Sequence, residues 1–137
     1  MIVVDTNILS DLLRPAPEPR VVRWLDAQPL GIMATTAVTK AEMIYGVERL
    51  PEGQRRRALT LIVSAIIERF AGRILPFDEA AAAHYASIVI ARRKLGRPIE
   101  PLDAQIVAIA AAHGAAVATR DRDMRDCGIP LINPWND

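Results

Sequence analysis

Five carboxylates in this chain stand where chemistry can be done. Asp5, Glu42, Asp103 and the Asp121/Asp123 pair each fall where an apolar, strand-like run gives way to a helix start, or in a helix's first turns. If the fold brings them to one rim, like charges a few ångströms apart raise one another's pKa until a proton or a cation intervenes. A divalent ion relieves that repulsion, and a set of hard carboxylate oxygens selects Mg²⁺, with Mn²⁺ as a substitute.

Each acid also has a purely structural explanation. Asp5 can cap a helix beginning near Ile8. Glu42 follows Thr39 at the three-residue spacing of a capping box. Asp103 lies two residues after Pro101 in a helix's first turn, where the dipole favours an anion, and Asp121 or Asp123 can initiate a turn. All of these explanations put a carboxylate at a helix N-terminus beside a strand's end, and in a parallel sheet such places share one rim. Capping and catalysis are therefore compatible. Thr6, Asn7 and Thr119 add neutral hydrogen-bonding groups that can aim the carboxylates, or simply cap.

The elements that must position these groups are legible in outline. Ile2-Val3-Val4 reads as a strand buried on both faces. Ile8, Leu9, Leu12 and Leu13 recur at helical spacing, and Pro15, Pro17 and Pro19 stop that helix before another begins near Arg20. Ile32-Met33-Ala34 is a candidate second strand. Thr35 to Thr39 offer N-caps for a helix carrying Met43, Ile44, Val47 and Leu50 on one face. Leu59, Ile62, Val63, Ile66, Ile67 and Phe70 form a wide apolar stripe, read as core in preference to a subunit interface. Ile74 to Phe77 reads as a strand, Asp78 caps a helix running to Lys94, and Pro101-Leu102-Asp103 opens a helix that His113-Gly114 ends. Ala115 to Ala118 and Leu131-Ile132 complete the strands. Strands alternating with helices predict βαβ units, hence a three-layer α/β/α sandwich around a short, mostly parallel sheet.

At 137 residues the chain is expected to form a single domain, 1–137. Lys and Arg number 17 against 16 Asp and Glu, a net charge of +1. That balance excludes a strongly basic protein with generic affinity for nucleic acid, but not a local basic patch. Candidate rim cations are Arg14, Arg20, Arg23, Lys40, Arg92, Arg93, Lys94, Arg97, Arg120 and Arg122. The densest run, Arg55-Arg56-Arg57, is read as surface charge on a helix outside the site. Cys127 is the only cysteine, which suits a reducing cytoplasm. No uncharged run approaches the ~18 residues of a membrane span, and the N-terminus lacks the pattern of a secretory signal, so a soluble, cytoplasmic protein is expected. His84 and His113 are isolated, no zinc spacing exists, and no glycine-rich phosphate loop is present.

Several of these segments together resemble PIN-domain ribonucleases of the VapC toxin type, in the branch of the FitB-like proteins. They are Val3-Val4-Asp5-Thr6-Asn7, Ala41-Glu42 with Tyr45-Gly46, Pro101-Leu102-Asp103-Ala104, Ala118-Thr119-Arg120-Asp121 and Ile132-Asn133-Pro134-Trp135. The resemblance runs from Ile2 to Trp135. It implies a Mg²⁺-dependent endoribonuclease, the toxin of a bacterial toxin–antitoxin pair, usually a homodimer. A small antitoxin, whose tail enters the active groove, would inhibit it. Asp5 and Asp103 would be the principal metal ligands, with Glu42 and the last motif completing the acid set. Related sequences commonly read Thr-Arg-Asn before an Asp-Phe pair, whereas this chain reads Thr119-Arg120-Asp121-Arg122-Asp123-Met124, which leaves Asp121 and Asp123 both open as the fourth acid.

Two other readings compete. A metal-dependent phosphatase-like α/β enzyme also uses an aspartate after its first strand, but the haloacid-dehalogenase type needs a second Asp two residues on, and position 7 is Asn. A non-catalytic interaction module is the other.

Overall fold

The computed structural model describes residues 1–136. Five strands, β1 (Ile2–Val4), β2 (Met33–Thr36), β3 (Ile74–Leu75), β4 (Ala116–Ala118) and β5 (Leu131–Ile132), form one sheet in the order β3-β2-β1-β4-β5. Every neighbouring pair is parallel, with Ile2 opposite both Met33 and Ala116. From β1 the chain winds outward through β2 to β3, then returns to the other side of β1 as β4 and continues to β5. Between β1 and β4 the winding therefore reverses, and there the carboxyl ends of two strands diverge to leave a crevice.

Six helices carry the crossovers: α1 (Thr6–Asp11), α2 (Pro19–Ala27), α3 (Ala37–Glu48), α4 (Gln54–Arg69), α5 (Glu79–Lys94) and α6 (Pro101–Ala112). Strand side chains alternate between the two faces, and the core splits accordingly. Val3 and Val117 join α6 residues such as Ile106 and Ile109 with Ala81 and Ile88 of α5. Val4 and Ala118 join Ile8, Val21, Met43, Val63 and Ile66 from α1, α2, α3 and α4. Helices thus cover both faces, which gives the three-layer sandwich that the alternation of strands and helices predicts.

Boundaries shift where local geometry competes with apolarity. Ile32 belongs to a 3₁₀ turn (Leu30–Ile32) and β2 instead runs on through Thr35 and Thr36. Those threonines are buried, and the Thr35 hydroxyl donates to the Val4 carbonyl at 2.8 Å, tying the ends of β2 and β1 together. The strand read from Ile74 to Phe77 is only Ile74–Leu75, because Pro76 cannot donate to a ladder. The α4 stripe is core for Val63, Ile66 and Phe70, while Ile62 is 41% exposed at its edge. No described helix is long and apolar enough to cross a membrane.

Candidate active site

Asp5 immediately follows β1, and its backbone N–H donates to the Ala118 carbonyl at 2.9 Å, which prolongs the β1–β4 pairing into the crevice. It is also the N-cap of α1: Oδ1 accepts the Thr6 N–H at 2.7 Å. The other oxygen, Oδ2, accepts from Asn7 Nδ2 at 3.0 Å and from the Thr119 hydroxyl at 2.8 Å. Capping and site-building are thus done by opposite oxygens of one carboxylate. Asp5 is 3% exposed. Burial pushes its pKa up to about 6, against the pull of the Thr119 and Thr6 hydrogen bonds, and the charges of Glu42 and Asp121 push the same way.

Thr119, just past β4, is buried and fully committed. Its hydroxyl donates to Asp5 and accepts from Asn7 Nδ2 and from the Asp121 N–H, both at 2.9 Å, which exhausts one donor and two lone pairs. Beside it, the exposed Arg120 guanidinium lies 4.6 Å from the centre of the Trp135 ring.

Glu42 is held differently from the capping box its spacing suggests. The N-cap of α3 is Thr36, whose Oγ1 accepts the Thr39 N–H at 3.0 Å, so Thr39 is itself the third helical residue and Glu42 lies one turn further on. The Glu42 carboxylate instead accepts the Thr6 hydroxyl at 2.7 Å. A carboxylate has no proton to give, so Thr6 is the donor there, and its oxygen must then accept from Thr39, 2.9 Å away. Thr39 in turn accepts from Thr36 at 3.3 Å. Three hydroxyls form a one-directional chain, Thr36 to Thr39 to Thr6, that terminates on Glu42. Thr36 and Thr39 are fully buried. In sequence these threonines read as alternative caps, but three of them in five residues, Thr35, Thr36 and Thr39, exceed what one cap needs, and that surplus is the signal for such a chain.

Asp103 sits in the first turn of α6 behind Pro101, half-buried, and the apolar residues Ala104, Ile106 and Val107 that follow turn inward and leave its carboxylate on the rim. Its pKa rises to about 7, first because burial strips its solvation and then because Asp5, Asp121, Glu42 and Glu100 surround it with like charge.

Asp121 and Asp123 have separate fates. Asp121 N-caps a 3₁₀ turn (Arg122–Met124), its Oδ1 accepting the Asp123 N–H at 2.8 Å, and its charge acts on both Asp5 and Asp103. The Asp123 side chain is exposed, while its carbonyl turns inward to accept from Arg92. Arg92 is the surprise among the rim cations: it is 2% exposed, buried beneath this loop, and donates also to the Arg125 carbonyl at 3.1 Å. A guanidinium in that position braces the loop and is out of reach of a polyanion in solvent.

The structure therefore gathers Asp5, Glu42, Asp103 and Asp121 around the crevice and leaves Asp123 outside. Among the described residues no three acidic, histidine or cysteine groups close into a ready-made cage. The arrangement is an open, oxygen-only rim. Such a donor set fits a hard divalent ion that keeps several of its own waters, and the raised pKa values of Asp5 and Asp103 are the cost that a cation there removes.

Known proteins carry the same frame. The PIN domain family model matches residues 2–129. Toxin FitB of Neisseria gonorrhoeae is 42% identical over the whole of both chains. The VapC ribonuclease Y4jK of Sinorhizobium fredii is 38% identical, covering 98% of each. The crystal structure of FitAcB from Neisseria gonorrhoeae superposes with a TM-score of 0.93 at 41% identity, again over all of both chains. A family match over most of the chain, on a sheet whose winding reverses at these very carboxylates, leaves one assignment: the chain belongs to the PIN-domain family.

Proposed function

We propose that this protein is a Mg²⁺-dependent endoribonuclease, working at the rim formed by Asp5, Glu42, Asp103 and Asp121, with Asp5 and Asp103 as the principal metal ligands. Relatives of this chain are named as VapC ribonucleases and as a toxin, and hydrolytic cleavage of RNA as the toxin of a toxin–antitoxin pair is the activity of this chain. Enzymes with this domain generally depend on a divalent metal; the choice of magnesium, with manganese as substitute, rests on the all-oxygen donor set. The observation that carries the reading is the convergence of acids from separate elements: Thr119 bonds both Asp5 and the Asp121 N–H, Thr6 bonds both Asp5 and Glu42, and Asp103 beside them is lifted to about 7, first by burial and then by their charge.

Asp5 and Asp103 would hold the metal, which would supply a lowered water pKa and neutralisation of charge at the scissile phosphate. The chain's own residues do the rest. Thr119 and Asn7 fix Oδ2 of Asp5 by donating to it. Thr6, driven by the hydroxyl chain behind it, fixes Glu42. Asp121, whose Oδ1 accepts the Asp123 N–H, is the group we assign to orient the attacking water or take its proton.

The working protein is read as one domain in the cytoplasm, a homodimer restrained by a small antitoxin that competes with RNA for the rim. Replacing Asp5 or Asp103 by Asn, followed by an RNA-cleavage assay with Mg²⁺, tests the reading: cleavage is lost while the circular dichroism spectrum is retained. Full activity in both purified variants would sink it.

A further inference from the structure

A polyanion cannot approach four carboxylates without cations to lead it in, and the rim cations suggested by sequence do not supply them as a group. Arg92, for one, is buried beneath the loop that follows β4. Elsewhere on the surface, however, a cleft of about 300 Å³ opens between α1, α3 and the start of α4. Glu42 lies in its wall, and so do three guanidiniums: Arg14, Arg49 and Arg55. We propose that this cleft is the path of the RNA backbone leaving the catalytic rim, with Arg14, Arg49 and Arg55 receiving its phosphates. The inference rests on Glu42 being part of the active site.

Four features of the cleft fit a phosphate chain. First, its volume holds a nucleotide-sized group, and one of the rim carboxylates, Glu42, stands in its wall. Second, Arg14 is anchored: Asp11, 4% exposed, takes the Arg14 guanidinium on Oδ1 and the Glu18 N–H on Oδ2, each at 2.9 Å. One of Arg14's five donors is used there, and the rest remain on a side chain already fixed in place. Third, Arg55 stands in the first turn of α4, where no acidic residue accompanies it and where a helix dipole disfavours a cation. The stability of α4 gives no reason for it, whereas an anion in the cleft does. Fourth, Gly46 lies in the last turn of α3 on the cleft wall, with nothing within 4 Å of the place a Cβ would occupy. A glycine there weakens the helix without easing any packing, and it leaves the wall bare for a ligand to pass close to the backbone.

The Arg55-Arg56-Arg57 run thus divides by function. Arg55 faces the cleft, and Arg56 turns back to the Leu50 carbonyl at 3.5 Å.

The test is fluorescence anisotropy of a labelled single-stranded RNA on the full-length protein in EDTA, so that binding is read apart from cleavage. Arg49→Gln and Arg55→Gln are each expected to weaken binding several-fold and to lower the slope of log K against log salt by about 0.7, the share of one single-strand phosphate. In a Mg²⁺ assay both variants keep kcat within about twofold on bis(p-nitrophenyl) phosphate, which has no chain to lie in the cleft, while KM for RNA rises. Unchanged RNA affinity and salt slope in both variants would overturn the proposal, as would weakened hold on an antitoxin with RNA binding intact. A protein that binds RNA in this salt-dependent way but cleaves none with Mg²⁺ would instead overturn the catalytic reading and leave the cleft standing.

Discussion

The Thr119 hydroxyl donates to Asp5 Oδ2 at 2.8 Å, joining the end of β4 to the end of β1 across the point where the sheet reverses its winding. Because the same hydroxyl accepts from Asn7 and from the Asp121 N–H, one oxygen sets the geometry of two acids. Thr119→Val removes the hydroxyl and leaves the Asn7 and Asp121 donors without that partner, a loss of about 1–3 kcal/mol in denaturant unfolding. Since the lost bond is one that lowers the Asp5 pKa, the acid limb of the pH–rate profile moves to higher pH. Thr119→Ser keeps both properties close to wild type.

Metal-free protein loses stability as pH rises. Asp5 and Asp103 hold protons in the folded state up to about 6 and about 7, whereas both release them near 3.8 when unfolded. Between those limits the folded state binds more protons, so the favourable contribution is complete in acid and fades as pH climbs through about 6 and 7. For the buried Asp5 alone the difference is on the order of 3 kcal/mol. Urea unfolding in EDTA should give a lower stability at about pH 8 than at about pH 5.5, and Asp103→Asn should flatten the difference. A stability that rises over this range would contradict the clustered geometry.

Addition of Mg²⁺ or Mn²⁺ near neutral pH reverses that loss by taking the place of the protons. At roughly a hundredfold excess over Kd the stabilisation is about 2.7 kcal/mol, seen as a rise in Tm of several degrees. The same addition to Asp103→Asn should move Tm far less. Equal shifts in both proteins would place the ion elsewhere.

Glu42 owes its position to hydroxyls rather than to its own helix. Thr39→Val interrupts the chain from Thr36 to Thr6 and lets the Glu42 carboxylate turn away. We expect kcat on RNA to fall roughly tenfold, in keeping with the sensitivity of catalysis to small misplacements, with KM unchanged and activity restored in Thr39→Ser. A matched fall in the valine and serine variants would mean that packing, and not the hydroxyl, is what counts.

Asp121 and Asp123 are two residues apart and should behave oppositely. Asp121→Asn removes a charge that acts on both Asp5 and Asp103, and a loss of roughly a hundredfold in kcat is expected for a group that handles a proton. Asp123→Asn changes an exposed side chain and keeps the backbone N–H and carbonyl that hold the loop, so its kcat should stay near wild type. The opposite ranking would make Asp123 the fourth acid.

Much of this was decided by sequence alone. Ile2-Val3-Val4 had to be a buried strand because all three side chains are apolar and β-favouring, and Asp5 had to end it. Alternation of such strands with helices required a parallel sheet, and a parallel sheet puts Asp5, Glu42, Asp103 and the Asp121/Asp123 pair on one rim whatever the strand order. What sequence left open depended on contacts between distant segments. The order β3-β2-β1-β4-β5 sets β4 beside β1 at the reversal and so makes Thr119 a partner of Asp5, 114 residues away. Asp121 and Asp123 are alike in type and differ only in which way the 3₁₀ turn points them, a direction that Met124 in the core and Arg92 beneath the loop enforce. Arg92, a candidate rim cation in sequence, is buried as a brace, and Arg55, read as surface charge, lines a cleft that Glu42 also lines. Local chemistry fixes which residues can cap, bind or donate; burial and direction belong to the packed whole, because they are set by neighbours that the chain brings together only on folding.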